Sequence, residues 1–143
     1  MHIVCFDTET TGLPEGRHIS IYETDKWPHI VQLSFMVYDT DKKEVIEEYD
    51  KIIKIEEHVE LTPKSIEIHG ITREIIEKCG IPIAEALCAF KRALHNSHCS
   101  IGHNLSFDKR LLIVESIRNK GFDPNDNSTI QLHFGKEFCT MQN

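Results

Sequence analysis

The stretch Ile3-Val4-Cys5-Phe6-Asp7-Thr8-Glu9-Thr10-Thr11-Gly12 decides the fold. Ile3 to Phe6 is short, apolar and partly β-branched, and reads as a buried central strand. Asp7 and Glu9 follow at its end, two residues apart. Side chains at i and i+2 share a strand face, so both acids project together from an element whose burial holds them rigidly. Two anions so placed repel each other, which raises one pKa or recruits a cation. Hard oxygen ligands favour Mg²⁺ or Mn²⁺ over zinc. An Asp-x-Glu pair is also common at solvated strand ends, so the pair alone leaves a metal site and a plain acidic turn side by side. Thr10-Thr11-Gly12-Leu13 weighs towards a ligand, because a glycine turn directly after the acids lets backbone N–H groups approach one closely.

Outward from this stretch, residues 13–28 mix Pro, Gly and charges and read as a long loop. Ile30 to Tyr38 reads as a second strand, Asp39-Thr40-Asp41 as a hairpin turn, and about Val45 to Ile55 as a third strand. Ser65 to Ile71 is a short turn or helix. Thr72 then caps a helix that carries Ile75 and Ile76 and stops at Gly80. Pro82 suits the first turn of the next helix, whose core face is Ile83, Leu87, Phe90 and Leu94. Cys99 to Gly102 is a brief strand. Asn104 caps a last helix with the stripe Phe107, Leu111, Val114 and Ile117 and a stop at Gly121, and residues 129–141 have room for one more edge strand. Strand, hairpin, helix, strand, helix in this order predicts an α/β domain with a mixed sheet and the first strand at its centre.

The segment Ile101-Gly102-His103-Asn104-Leu105-Ser106-Phe107-Asp108 is a strand end running into a helix. Asp108 sits one step round from Phe107 and flanks the buried stripe. If this strand neighbours the first, Asp108 reaches the sheet end that carries Asp7, and three carboxylates then surround one or two metal ions. Two-metal sites stabilise both the attacking and the leaving oxygen in phosphodiester cleavage. An acid in a first helical turn is also what the helix dipole favours, and that alternative stays open.

Composition narrows the classes. A chain of 143 residues is one domain with room for a real core. Apolar residues at 40% and charged residues at 27% describe an ordinary globular chain. No apolar run is long enough to span a bilayer and no signal-peptide pattern opens the chain, so an intracellular protein with no membrane partner is expected. The net charge of −7 argues against a basic phosphate-coating groove. Divalent ions held by carboxylates would instead carry the positive charge to a phosphate. The five cysteines are widely spaced with no CxxC pair, which predicts free, mostly buried thiols.

The segments Phe6-Asp7-Thr8-Glu9-Thr10-Thr11-Gly12-Leu13 and Gly102-His103-Asn104-Leu105-Ser106-Phe107-Asp108 closely resemble the first two motifs of the DEDDh 3′–5′ exonucleases. Ile68-His69-Gly70-Ile71-Thr72 is similar to that family's segment between them. The resemblance covers essentially the whole chain. It implies an RNase H-like mixed β-sheet flanked by helices. It implies that Asp7, Glu9 and Asp108 bind two Mg²⁺ or Mn²⁺ ions, and that the backbone around Thr10 and Gly12 and the side chain of His69 lie near a terminal 3′-OH. Leu13 would wedge against the last bases, while His103, Asn104 and Phe107 would line the pocket for the terminal nucleotide. An apolar wedge and an aromatic ring accept any base, which suits a single-stranded 3′ end. The implied reaction releases nucleoside monophosphates, with a polymerase or another replication or repair protein as partner.

The chain departs from the family in its third motif, a His followed after four intervening residues by an Asp on a downstream helix. The His is the expected general base. Phe138-Cys139-Thr140-Met141 resembles the strand before that helix, so the reading is a single exonuclease domain over 1–143, incomplete at its C-terminus and lacking that helix, with reduced or no activity. His133 has Phe138 where the acid should stand and reads as a loop or strand residue. A non-catalytic binding or assembly module on the same fold is the alternative, and an RNase H-like endonuclease the third reading. His95, His98 and Cys99 lack a further zinc ligand and read as a polar helix end. Trp27-Pro28 is either a surface anchor or a buried hinge. Lys109, Arg110, Arg118 and Lys120 read as a solvated helix face, with the first two near enough to the site to touch phosphates.

Overall fold

Alternation along the first strand, β1 (His2–Thr10), buries Val4, Phe6 and Thr8 on one face and turns Ile3, Cys5, Asp7 and Glu9 to the other. This is the expected period of two, over a strand longer than its apolar run. The computed structural model describes residues 1–119 and 132–141. In it β2 (Ile30–Asp39) and β3 (Glu44–Ile52) form the hairpin, with β1 and β2 antiparallel and β2 and β3 antiparallel. Two short parallel strands complete the sheet on the other side, β4 (Cys99–Gly102) beside β1 and β5 (Lys136–Cys139) beside β4. The order is β3-β2-β1-β4-β5, a mixed five-stranded sheet with β1 in the middle, as predicted. β5 falls within the expected tail strand, while residues 129–131 of that expectation lie outside the described residues.

Four helices follow the predicted order. Short α1 (Pro63–His69) starts earlier than the Ser65 boundary, because Thr62 accepts the Ser65 N–H as N-cap and Pro63 opens the first turn. Gly70 ends it in the left-handed region, φ 73°, where a side chain is disfavoured. Thr72 caps α2 (Arg73–Cys79) and Gly80 ends it. In α3 (Ile83–His95) Pro82 is the N-cap residue, just outside the first turn. Leu87, Phe90 and Leu94 lie in the core as expected, and Phe90 meets Phe6, Phe35 and Phe134 with ring centroids 5.0, 5.5 and 6.0 Å apart. Fully burying each such ring is worth about 1.5–3 kcal/mol.

The last helix, α4 (Leu105–Arg118), corrects the expected stripe. Its buried side chains are Leu105, Asp108, Leu111, Leu112, Val114, Glu115 and Ser116, whereas Phe107 and Ile117 are half-buried. The true inner face is partly polar, so apolar periodicity alone rotated the stripe towards Phe107. Asn104 occupies the N-cap position but makes no side-chain cap bond; it is in the left-handed conformation, φ 54°, which Asn tolerates. The expected stop at Gly121, and Lys120, lie outside the described residues.

The loop after β1 is tied down by α4. Arg118 donates to the carbonyls of Thr24, Trp27 and Pro28 and pairs with Glu115. Arg110 donates to the Ile19 carbonyl at 2.8 Å and lies over the Trp27 ring, and Trp27 is buried and donates to the Ser20 carbonyl. Lys109 pairs with Glu137. The basic side chains described on this face are therefore engaged internally, and Trp27 is buried and not a surface anchor. Against the expectation of mostly buried thiols, Cys99 alone of the five cysteines is buried, and Cys79 and Cys88 are exposed because they fall on the outer sides of α2 and α3. No helix among the described residues is long and apolar enough to cross a membrane.

His29, at the foot of this loop, has its pKa lowered to about 4 from 6.5, by burial first and then by Arg118 and His58. The unfolded chain takes up a proton that folded His29 refuses, so stability present above pH 6.5 is lost as pH falls towards 4. His29→Gln is expected to remove much of that loss. Denaturant titrations of both proteins at about pH 7 and about pH 4.5, on either side of the ordinary His value, check it, and parallel losses would assign the acid sensitivity elsewhere.

Candidate metal and nucleic-acid site

β1 carries the first two acids to the end of the sheet. Asp7 pairs in register with Ser34 and Glu9 with Gln32, after which the register shifts between Glu9 and Thr10. A bulge there bends the strand end and re-aims the turn beyond it. Asp7 is exposed and borders an open hollow of about 650 Å³ on the sheet face opposite the core, together with Cys5, Ser34, Met36 and Asp50.

β4 runs parallel to β1, with Cys5 opposite Ile101, so the turn after Gly102 delivers the start of α4 to the end of β1 that bears the acids. Asp108 is 4% exposed and accepts the Thr8 hydroxyl at 2.5 Å. It is thereby fixed to the residue between Asp7 and Glu9. Burial pushes its pKa up to about 7; the Thr8 hydroxyl and N–H oppose that, and the charges of Asp7 and Glu9 add to it. Glu9 is raised by its partial burial and by Asp7, while His69 acts against the rise.

The Thr8 bond sets Asp108 beside the strand end that carries Asp7 and Glu9. The three carboxyls do not converge as they stand: among the described residues no three His, Cys, Asp or Glu side chains are grouped to hold a metal ion. The period of two explains this, since Asp108 meets Thr8 on the core face while Asp7 and Glu9 point to the other. A buried carboxylate, two neighbouring carboxylates and no basic side chain among the groups acting on Asp108 leave a deficit of positive charge. Hard oxygen donors with that deficit suit a divalent cation.

α1 braces the turn after the acids. Ser65 donates its hydroxyl to the Thr11 carbonyl at 3.0 Å and Thr62 donates its N–H to the same oxygen. His69 bridges the Thr10 carbonyl through Nε2, at 2.9 Å, and the Ile71 N–H through Nδ1, also at 2.9 Å. The carbonyl takes a donor and the N–H takes an acceptor, which fixes the neutral Nε2–H tautomer. A Cβ on Gly12 would stand 3.2 Å from Thr62 Cγ2, so this glycine admits α1 as well as shaping the turn. Leu13 is 84% exposed beside it. On the other side His103 meets the Thr140 hydroxyl at 3.0 Å, Asn104 is exposed, and Phe107 is half-buried.

The remaining sequence candidates do not gather here. His98 accepts the His2 N–H at 3.1 Å at the far end of β1, and His133 is an exposed residue outside any strand. Thr8 and Ser65 are the polar residues that sequence reading passed over. The run of small hydroxyl residues around Asp7 and Glu9 was the available signal for Thr8; Ser65 had none.

The chain is similar in fold to solved exonuclease I structures. E. coli Exonuclease I in complex with a dT13 oligonucleotide superposes with a TM-score of 0.68 at 19% identity, over 96% of this chain and 27% of that one. Exonuclease I from Methylocaldum szegediense, described as moderately thermophilic, gives 0.69 at 18%, over 99% of this chain and 28% of that one. An ExoI/SSB-Ct complex gives 0.67 at 19%, over 96% and 28%. The chain thus spans less than a third of the length of these structures. None of the curated proteins matches the sequence. The exonuclease family RNase_T matches residues 4–134, nearly the whole chain, and the protein belongs to that family.

Proposed function

We propose that this chain carries the metal-binding half of a 3′–5′ exonuclease site, which hydrolyses the terminal phosphodiester of a single-stranded 3′ end and releases nucleoside monophosphates. The carrying observation is the buried Asp108 carboxyl, hydrogen-bonded to the residue between Asp7 and Glu9 and raised by both acids. An acid buried beside two others carries a cost that bound cations would offset.

Asp7, Glu9 and Asp108 would hold two Mg²⁺ or Mn²⁺ ions once their carboxyls turn towards one another. Cations bound there supply the charge that neutralises the reacting phosphoryl oxygens. The braced turn presents the backbone of Thr10 and Gly12 to the terminal nucleotide, and exposed Leu13 offers an apolar surface for the last base. His103, Asn104 and Phe107 form the opposite wall, and His69 acts through the turn it holds, since both its ring nitrogens are engaged. That exonuclease I is solved with a dT13 oligonucleotide and as an ExoI/SSB-Ct complex supports single-stranded nucleic acid as substrate and a replication or repair protein as partner.

After Asp108 the sequence holds no His followed at the family spacing by an Asp. Lack of a general base costs about 10²–10⁴-fold in rate, so this 143-residue chain is expected to bind metal and a 3′ end while turning over slowly. The test is a 5′-labelled single strand incubated with Mg²⁺ or Mn²⁺, beside a circular strand. Slow stepwise shortening of the linear strand, with the circle intact, is expected. Cleavage of the circle would show an endonuclease. Nucleic-acid binding indifferent to metal, with no shortening, would favour the non-catalytic module.

A further inference from the structure

We propose that Thr8 is a positioning residue for the metal site, its hydroxyl fixing the Asp108 carboxylate to the strand that carries Asp7 and Glu9; this rests on the metal-site reading above. Thr8 faces the core in a row with Val4 and Phe6, opposite Leu33 of β2, where an apolar side chain would pack without penalty. A hydroxyl buried there needs a partner. The one it has is Asp108 Oδ1 at 2.5 Å, across 100 residues of sequence, and both residues are buried.

This bond joins the two elements whose relative placement decides whether the acids share a cation. Asp108 enters on α4, and Asp7 and Glu9 enter on β1. Thr8 sits between them on β1, so its hydroxyl sets the position of the α4 carboxyl by reference to the backbone that carries the other two. A helix-dipole role for Asp108 would require no such bond, because an acid in the first turn can point to solvent. Ligating carboxylates are commonly oriented by outer hydrogen bonds, and loss of one such partner weakens metal binding by about 10- to 100-fold.

The test measures Mn²⁺ affinity of the full chain by titration calorimetry and by the EPR signal of free Mn²⁺, for wild type, Thr8→Val, Thr8→Ser and Asp108→Asn. Valine keeps the volume and removes the hydroxyl, whereas serine keeps the hydroxyl. Thr8→Val is expected to bind about 10-fold or more weakly, Thr8→Ser close to wild type, and Thr8→Val in an Asp108→Asn background no weaker than Asp108→Asn alone. Apo thermal unfolding confirms that each variant folds; if Thr8→Val does not, Thr8→Ala takes its place with the same expectation. Wild-type affinity in Thr8→Val or Thr8→Ala, with Asp108→Asn weakened, would overturn the role of Thr8 and leave the metal site standing. Unchanged affinity in Asp108→Asn would instead remove the metal site itself, and Thr8's role with it.

Discussion

Arg118→Ala is expected to destabilise the protein by about 3–5 kcal/mol, the usual cost of leaving a buried ion-pair partner alone. For a chain of this length that corresponds to roughly 10–17 °C in Tm. Glu115 is 3% exposed at its side chain and Arg118 13%, so the pair is shielded from water. Burial already pushes the Glu115 carboxyl up to about 7 against the pull of Arg118. Without the guanidinium the acid has no counter-charge, and the carbonyls of Thr24, Trp27 and Pro28 lose a donor together. The loop would then be released from α4, and with it His29, whose backbone pairs with Thr11 in the turn after the acids. Adding Glu115→Gln should recover part of the loss, because it removes the stranded charge. Chemical denaturation measures both. A loss below about 1 kcal/mol, the scale of a surface ion pair, would show that the clamp is solvated and idle.

Asp108→Asn is expected to have the opposite sign on stability and a large effect on function. At neutral pH the buried carboxyl is opposed by burial and by the charges of Asp7 and Glu9. An amide of the same shape keeps an oxygen for the Thr8 hydroxyl and carries no charge, so the metal-free variant should be as stable as wild type or more so, by up to about 2 kcal/mol. It should also lose metal-dependent stabilisation and exonuclease activity. This pairing of gained stability with lost function marks a residue kept for chemistry. A destabilised Asp108→Asn that still responds to Mn²⁺ as wild type does would instead mark a structural acid.

Much of the sheet was legible because its signals are local. The apolar opening run, the Ile30 to Tyr38 strand and the Asp39 turn place β1 beside a hairpin at the centre of the sheet, and Thr72 with Gly80 bounds α2 by cap chemistry that acts within a few residues. The shared strand face of Asp7 and Glu9 was legible from their spacing. α4 was misread in its rotation because its inner face holds Asp108, Glu115 and Ser116, which periodicity counts as outward. The engagement of Arg110 and Arg118 was not legible. Their partners are backbone carbonyls 91 and 90 residues away, and a carbonyl has no identity in a sequence. The Thr8 bond to Asp108 was hidden for a related reason, since a strand's alternation says which face a residue takes but not what it meets there. The same alternation turns Asp7 and Glu9 away from that face, which the i, i+2 argument did not anticipate for Asp108.

If the acids of β1 and α4 act as one cation site, Mn²⁺ binding in single and double variants shows it most directly. Asp7→Ala and Asp108→Asn should each weaken Mn²⁺ binding, and the double variant should bind little more weakly than either alone, as groups that share a ligand do. If each single variant binds Mn²⁺ with wild-type affinity, or if the two losses simply add, the acids do not share a cation and the metal-site reading is contradicted.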